Sequence, residues 1–269
     1  MNRKHLSIIL TSILVGFSIL ISCAGNGTDV ENPVTGKSAT GFTSEWPGID
    51  LNDLAEGSEI RASGLQLIEK PAGLVELTHG DARNDSVLII AVHGYQSSGY
   101  EWVTGLKNLG IRYGSLFFFR YDWERCPADI ASELAALIIE TEKKSNYERV
   151  LVYGHSYGGL VVTQLASRLG KLDTEVHVIA APLAGFPGLT DNCGPLNYPS
   201  WTSSVKVIQH RTVQAQDGAF RELDYDPQEI DLPFEEVNLL PPTMDGHRLG
   251  HNWSVTWVLD QHAGKAHRL

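Results

Sequence analysis

Gly154-His155-Ser156-Tyr157-Gly158 sets a serine between two glycines at G-x-S-x-G spacing, and no other segment of this 269-residue chain is better suited to covalent chemistry. The apolar, β-favouring run Val150-Leu151-Val152-Tyr153 precedes it. Leu160-Val161-Val162-Thr163-Gln164-Leu165-Ala166 follows, apolar enough for a buried helix. Strand, tight turn and helix form the context this spacing needs. A serine hydroxyl is a poor nucleophile at neutral pH and requires a neighbouring base. A sharp strand-to-helix turn would lift Oγ clear of the backbone, and side chains at 154 and 158 would crowd it. The following helix would aim its free N–H groups and positive dipole end at developing negative charge. An ordinary Gly-rich turn carrying an ordinary serine has the same spacing, so the motif needs partners elsewhere in the chain.

From about Ser86 to about Leu259 the chain resembles the α/β-hydrolase family, and more narrowly its lipase and esterase members. The resemblance implies a Ser, acid, His chain order with the base in a loop after the last strand. Two histidines lie there, in Gly246-His247-Arg248-Leu249-Gly250-His251-Asn252-Trp253. His251, at the opening of the closing helix, is the favoured base and His247 the alternative. The acid is expected after the strand that includes Val205–Gln209. Asp217-Gly218 resembles the acid turn of these hydrolases, with Asp224 and Asp226 as alternatives and a plain Asp-Gly turn as the simpler reading.

An oxyanion hole needs two backbone N–H groups. The resemblance assigns them to Tyr157, just after the serine, and to Tyr95 in His93-Gly94-Tyr95, which resembles the His-Gly-x element of lipases. His93 would hold that loop, His155 would pack behind the serine turn, and Asp122 would serve its own loop or cap a helix. His247 and His251 are spaced as a metal pair, but no third ligand accompanies them. With no C-x-x-C and no H-E-x-x-H, neither a metal nor a cofactor is expected.

The resemblance implies that a mainly parallel sheet positions this constellation. Val87–Val92, Ser115–Tyr121, Val150–Tyr153, Glu175–Ala181, Val205–Gln209 and Val237–Leu240 read as strands. Ala128 to about Lys144 carries Ile130, Leu134, Leu137 and Ile138 at helical spacing, and Trp253 to about Gln261 reads as a closing helix. This alternation predicts an α/β fold with a mainly parallel central sheet covered by helices on both faces. Residues 60–80 are expected as antiparallel edge strands. The loop Pro182–Leu189, with Leu196, Tyr198 and Trp201, either covers the acyl side of the site with apolar area or packs on its own aromatics.

The N-terminus sets a compartment. A basic start, Met1–His5, precedes the uncharged apolar run Leu6–Ile21, as in a secretory signal. The run ends in Leu20-Ile21-Ser22-Cys23, which resembles a bacterial lipobox and implies lipid attachment at Cys23. Residues 1–22 are thus expected as a lipoprotein signal peptide, 23–46 as lipidated cysteine and flexible tether, and 47–269 as one hydrolase domain. Ala24 in place of aspartate points to the outer membrane if the cell has one. Cys126 and Cys193 both fall in loops at the carboxyl edge of the sheet and could pair in an oxidising compartment. With a net charge of −11 and no basic cluster outside the leader, nucleic acid is not an expected partner.

The expected activity is cleavage of carboxylic esters, with an apolar acyl or aryl group, through an acyl-enzyme. The alternatives are an acyltransferase on the same triad and a non-catalytic surface-binding lipoprotein on a hydrolase scaffold.

Overall fold

The computed structural model describes residues 47–80, 86–145, 147–169, 173–189 and 191–267. The signal, Cys23 and the tether, residues 1–46, lie outside the described residues. Strands are β1 (Ile49–Asp50), β2 (Gly73–Thr78), β3 (Val87–Val92), β4 (Ser115–Arg120), β5 (Arg149–His155), β6 (Thr174–Ile179), β7 (Val205–Arg211) and β8 (Glu236–Leu239). The short strands β9 (Thr243–Met244) and β10 (His247–Arg248) form a separate antiparallel hairpin. Helices are α1 (Ile60–Ile68), α2 (Tyr100–Gly110), α3 (Pro127–Lys144), α4 (Tyr157–Ala166) and α5 (Gly250–Ala263).

The main sheet has the order β1-β2-β4-β3-β5-β6-β7-β8. β2 runs antiparallel to β4, and every other neighbouring pair is parallel. The central strands are apolar on both faces, as a sheet covered on both sides requires. Along β5, Val150 and Val152 enter the core under α3 and α4, whereas Leu151 and Tyr153 enter the core under α2 and α5. Period-two alternation therefore feeds two cores from one strand. Pro127 at the first turn starts α3, Asp129 lies in that turn, and Lys143 and Lys144 close the helix, in accord with its dipole.

Residues 60–80 depart from expectation. Ile60–Ile68 is a helix, because Ser63, Gly64 and Leu67 share one buried face at helical spacing. β2 is antiparallel as expected, but β1 pairs with its outer side, so it is not the edge. α2 has no counterpart among the expected elements, although Trp102, Val103, Leu106 and Leu109 recur at helical spacing and are fully buried. β6 stops two residues before the expected Ala181, where Ala180 turns to a φ of 45°.

Cys126, just before α3, and Cys193, in the loop after β6, are joined in a disulfide with a Cα–Cα distance of 5.4 Å.

Candidate active site

β5 delivers Ser156 at its carboxyl end, and α4 begins one residue later. Ser156 has φ 54° and ψ −119°, a backbone region an L residue occupies only at a cost of about 1–3 kcal/mol. The turn closes because its glycines have no side chains. A Cβ on Gly158 would lie 2.3 Å from the Val92 carbonyl oxygen, and one on Gly154 would lie 2.4 Å from the Gly158 oxygen. Ser156 N–H donates to the Ile179 carbonyl of β6 at 2.9 Å, so the strained residue is tied to the sheet. Tyr157 N–H, at the first position of α4, has no acceptor within that helix.

The segment after β3 lies against this turn. A Cβ on Gly94 would stand 3.0 Å from Ser156 Cβ and 3.5 Å from its Oγ. His93 Nδ1–H donates to the Gly94 carbonyl at 2.9 Å, while its Nε2 faces Arg120 Nη1 at 3.4 Å. The ring is fully buried and stacks on Tyr121 at 4.2 Å. Burial holds its pKa down at about 3, against the raising effect of the Gly94 bond, so the imidazole stays neutral. Fixing the Gly94 carbonyl fixes the whole peptide plane and therefore the direction of Tyr95 N–H, which points opposite to that carbonyl. The Tyr95 ring itself is exposed and donates its hydroxyl to Glu124 Oε1 at 3.1 Å.

His251 sits in the first turn of α5. Its Nδ1 lies 3.0 Å from Asp217 Oδ2, across 34 residues of sequence. A carboxylate only accepts, so Nδ1 carries the proton and Nε2 keeps its lone pair. Asp217, fully buried, follows the short 3-10 turn Gln214–Gln216 beyond β7. Its carboxylate also accepts from Thr212 Oγ1 at 2.5 Å and from Ala219 N–H at 2.8 Å. Burial alone would raise its pKa, but the bond and charge of His251 and the bonds from Thr212 and Ala219 together hold it below the ordinary aspartate value.

The ring of His251 is held between His155, with centroids 4.6 Å apart, and the edge of Phe220 at 5.0 Å. His155 Nε2–H donates to the His251 carbonyl at 3.1 Å. Burial, then the nearby His251, keep His155 well below the usual histidine pKa.

Ser156 and His251 line one cavity of about 400 Å³. The His251 side chain keeps only 15% exposure, enough to reach that cavity, whereas Asp217 behind it has none. The arrangement can take a proton from a hydroxyl through Nε2 and stabilise the resulting imidazolium.

The alternatives are placed elsewhere. His247 is exposed on the β9–β10 hairpin and borders a different cavity with Met244 and Trp253. Asp226 is engaged with Arg211 at 3.4 Å and with Gln228 N–H at 3.0 Å, and Asp224 is exposed. Asp122 accepts from Glu124 N–H at 3.0 Å within its own loop.

Leu189, Leu196, Tyr198 and Trp201 pack on the core under α3 and α4 and do not line the Ser156 cavity. The wall is instead largely polar, with Arg61, Gln96, Ser97, Glu101 and Asn252 beside Tyr95 and Tyr100. Sequence reasoning missed Arg61 and Glu101, since α1 and α2 were not recognised as cavity walls. Glu101 is buried, accepts from Ser97 Oγ, and is pushed above the ordinary glutamate pKa by burial.

A match to a known protein family agrees with this architecture. The model of the Alpha/beta hydrolase family matches residues 89–257. An AB hydrolase superfamily protein, YfhM of Bacillus subtilis (strain 168), is 26% identical over 184 residues, covering 66% of this chain. The match spans 63% of that relative's length, less than two thirds. Among solved structures, Est1E from Butyrivibrio proteoclasticus with ferulic acid bound has a TM-score of 0.47 at 14% identity, covering 71% of this chain and 93% of that one. A lipase-esterase related protein from Clostridium acetobutylicum ATCC 824 has a TM-score of 0.46 at 11% identity, covering 71% and 96%. With the family model spanning β3 to α5 and the strained serine turn, its loop and the late histidine all inside or beside that span, this chain belongs to the alpha/beta hydrolase family.

Proposed function

We propose that the protein is a serine hydrolase of carboxylic esters, and that residues 1–46 carry it to the cell envelope on a lipid at Cys23. The observation that carries the catalytic reading is the shared cavity. A serine on a strained turn and a histidine with its Nδ1 proton committed to a buried aspartate open onto the same space.

In this reading Ser156 Oγ attacks the ester carbonyl carbon while His251 Nε2 takes the hydroxyl proton. The carbonyl oxygen becomes an oxyanion that accepts from Tyr157 N–H and Tyr95 N–H. Collapse breaks the bond to the alcohol oxygen, which leaves with the proton from His251. Water then attacks the acyl-enzyme carbonyl, giving its proton to the same Nε2, and Ser156 is released with the acid product. Asp217 remains ionised throughout and fixes the tautomer. The polar wall of the cavity favours a short or polar acyl group over a long aliphatic one.

Turnover of p-nitrophenyl acetate by wild-type and Ser156→Ala protein tests the reading. The substitution is expected to lower kcat by at least about 10⁴-fold with the fold unchanged. Comparable turnover in the two proteins would remove Ser156 from the chemistry. For the anchor, Cys23→Ala is expected to abolish incorporation of a fatty-acid probe, and wild-type labelling of that variant would rule out lipid attachment at Cys23.

A further inference from the structure

A larger cavity, of about 560 Å³, lies away from Ser156, between β7, β8 and the last turns of α5. His177 of β6 and His262 near the end of α5 line it, and Glu175 projects from β6 on the same face as His177, two residues before it. One ligand atom from each of these three residues lies within 4.8 Å of the other two.

The hydrogen bonds decide which atoms are available. His262 Nδ1–H donates to the Val258 carbonyl at 3.1 Å, so in the neutral ring Nε2 carries the lone pair. That Nε2 faces Glu175 Oε1 at 3.8 Å. A lone pair opposite a carboxylate oxygen repels unless a cation lies between them. His177 Nε2 stands 2.8 Å from the same Oε1. Its Nδ1 lies 3.0 Å from His210 Nε2. If His177 donates from Nδ1 to His210, its Nε2 lone pair also turns toward the Glu175 side. His210 thus fixes the tautomer from behind, as partners of metal-bound imidazoles do. Glu175 Oε2 is already bonded by Arg149, which anchors the carboxylate and leaves Oε1 to the two imidazoles. Arg149 is the opposing charge, but its side chain is 42% exposed, whereas His177 is buried. The Tyr153 ring stacks on His177 at 4.7 Å and meets His262 edge-on at 5.4 Å, walling the cluster from the sheet side.

We infer that Glu175 Oε1, His177 Nε2 and His262 Nε2 form a binding site for one divalent transition-metal ion of the zinc class, with its fourth position open to the cavity. Two imidazoles and a carboxylate suit Zn²⁺ at about 2.0–2.2 Å per bond, with ligand atoms about 3.3 Å apart. Reaching that spacing requires His262 to close on the pair and His177 to give up its bond to Oε1. His262 is 27% exposed at a helix end, so its side chain has room to turn. The ion would tie the last turn of α5 to β6, three turns along from the His251 end of the same helix.

The test is a titration of chelator-treated full-length protein with Zn²⁺, and with Co²⁺ as an absorbing substitute. One equivalent is expected to bind, with the visible bands of four-coordinate Co²⁺ and a rise in Tm. His262→Gln and Glu175→Gln are expected to weaken Zn²⁺ binding by at least about 100-fold, whereas His247→Gln on the hairpin leaves it unchanged. If Glu175→Gln does not fold, His262→Gln, at the partly exposed helix end, decides the matter alone. Absence of saturable binding, or equal affinity in wild type and His262→Gln, would overturn the site and leave His262 held by a proton only. Labelling of Ser156, followed in the same samples, reports on the ester reading independently.

Discussion

In the proposed mechanism three side chains divide the chemistry at the residue scale, and their surroundings set the division. Asp217 is buried behind three donors, and His251, flanked by the rings of His155 and Phe220, has its Nδ1 committed to Asp217, which leaves Nε2 as the free nitrogen of the pair. Loss of the base and loss of its orienting partner should therefore look alike. His251→Ala and Asp217→Asn are each expected to lower kcat by about 10⁴-fold or more. His247→Ala should keep activity within a few-fold of wild type, because its side chain borders another cavity. Steady-state kinetics on the three variants, at matched stability by circular dichroism, checks the ranking. A dead His247→Ala beside an active His251→Ala would reassign the base. The family resemblance, with chain order and turn chemistry, was enough to nominate Ser156, His251 and Asp217, which the fold brings to one place. The contacts that hold them were not. Thr212 donating to Asp217, and His155 donating to a carbonyl 96 residues away, arise only when β5, β7 and α5 are brought together.

At the element scale the serine turn works because β3, β5 and α4 approach without side chains between them. Gly158→Ala sets a methyl 2.3–2.4 Å from the Val92 and His93 carbonyl oxygens, neither of which can swing away. It is expected to destabilise the fold by about 1–3 kcal/mol and to impair activity by moving Ser156. Urea unfolding together with ester turnover measures both, and unchanged values would mean the turn is looser than its geometry. The disulfide acts on different elements, the start of α3 and the loop after β6, separated by 67 residues. Closing a loop of that length restricts the unfolded chain by about 4 kcal/mol in the chain-entropy account. Cys126→Ser with Cys193→Ser is expected to lose up to that amount in urea unfolding while retaining its activity at 25 °C, since neither residue lines the Ser156 cavity. A stability equal to wild type would mean that the bridge adds no constraint.

Long periodic elements such as α3 and the central strands were readable from pattern alone. β1 and the β9–β10 hairpin are two-residue strands whose existence depends on neighbours. α1 escaped recognition because its buried face is made of Ser63, Gly64 and Leu67, two of them small and none strongly apolar except the leucine.

Across the whole molecule, histidine burial dominates the response to pH. His93 and His177 have pKa values lowered to about 3 and about 4, and His155 and His210 lie well below the ordinary value, burial being the largest cause in each. Each is neutral in the fold, whereas its unfolded counterpart takes up a proton near pH 6.5. The unfolded state therefore binds more protons below that pH, and stability must fall as the solution is acidified. Between pH 7.5 and 5.5 each histidine contributes a loss of about 1.4 kcal/mol, up to about 5.5 kcal/mol for the four together. The carboxylates held low, Asp217 and Glu175, add their own loss only further down, where unfolded carboxyl groups begin to protonate. Urea midpoints at the two pH values check the direction and size, and a midpoint that rises on acidification would contradict neutral burial of these rings.

The central claim, that Ser156 forms the covalent intermediate, is tested most directly by intact-protein and peptide mass spectrometry after exposure to a fluorophosphonate. The expected result is a single adduct per chain, carried by the peptide containing Gly154–Gly158, absent from Ser156→Ala and strongly slowed in His251→Ala. An adduct on another residue, or no adduct in folded wild-type protein, would contradict it.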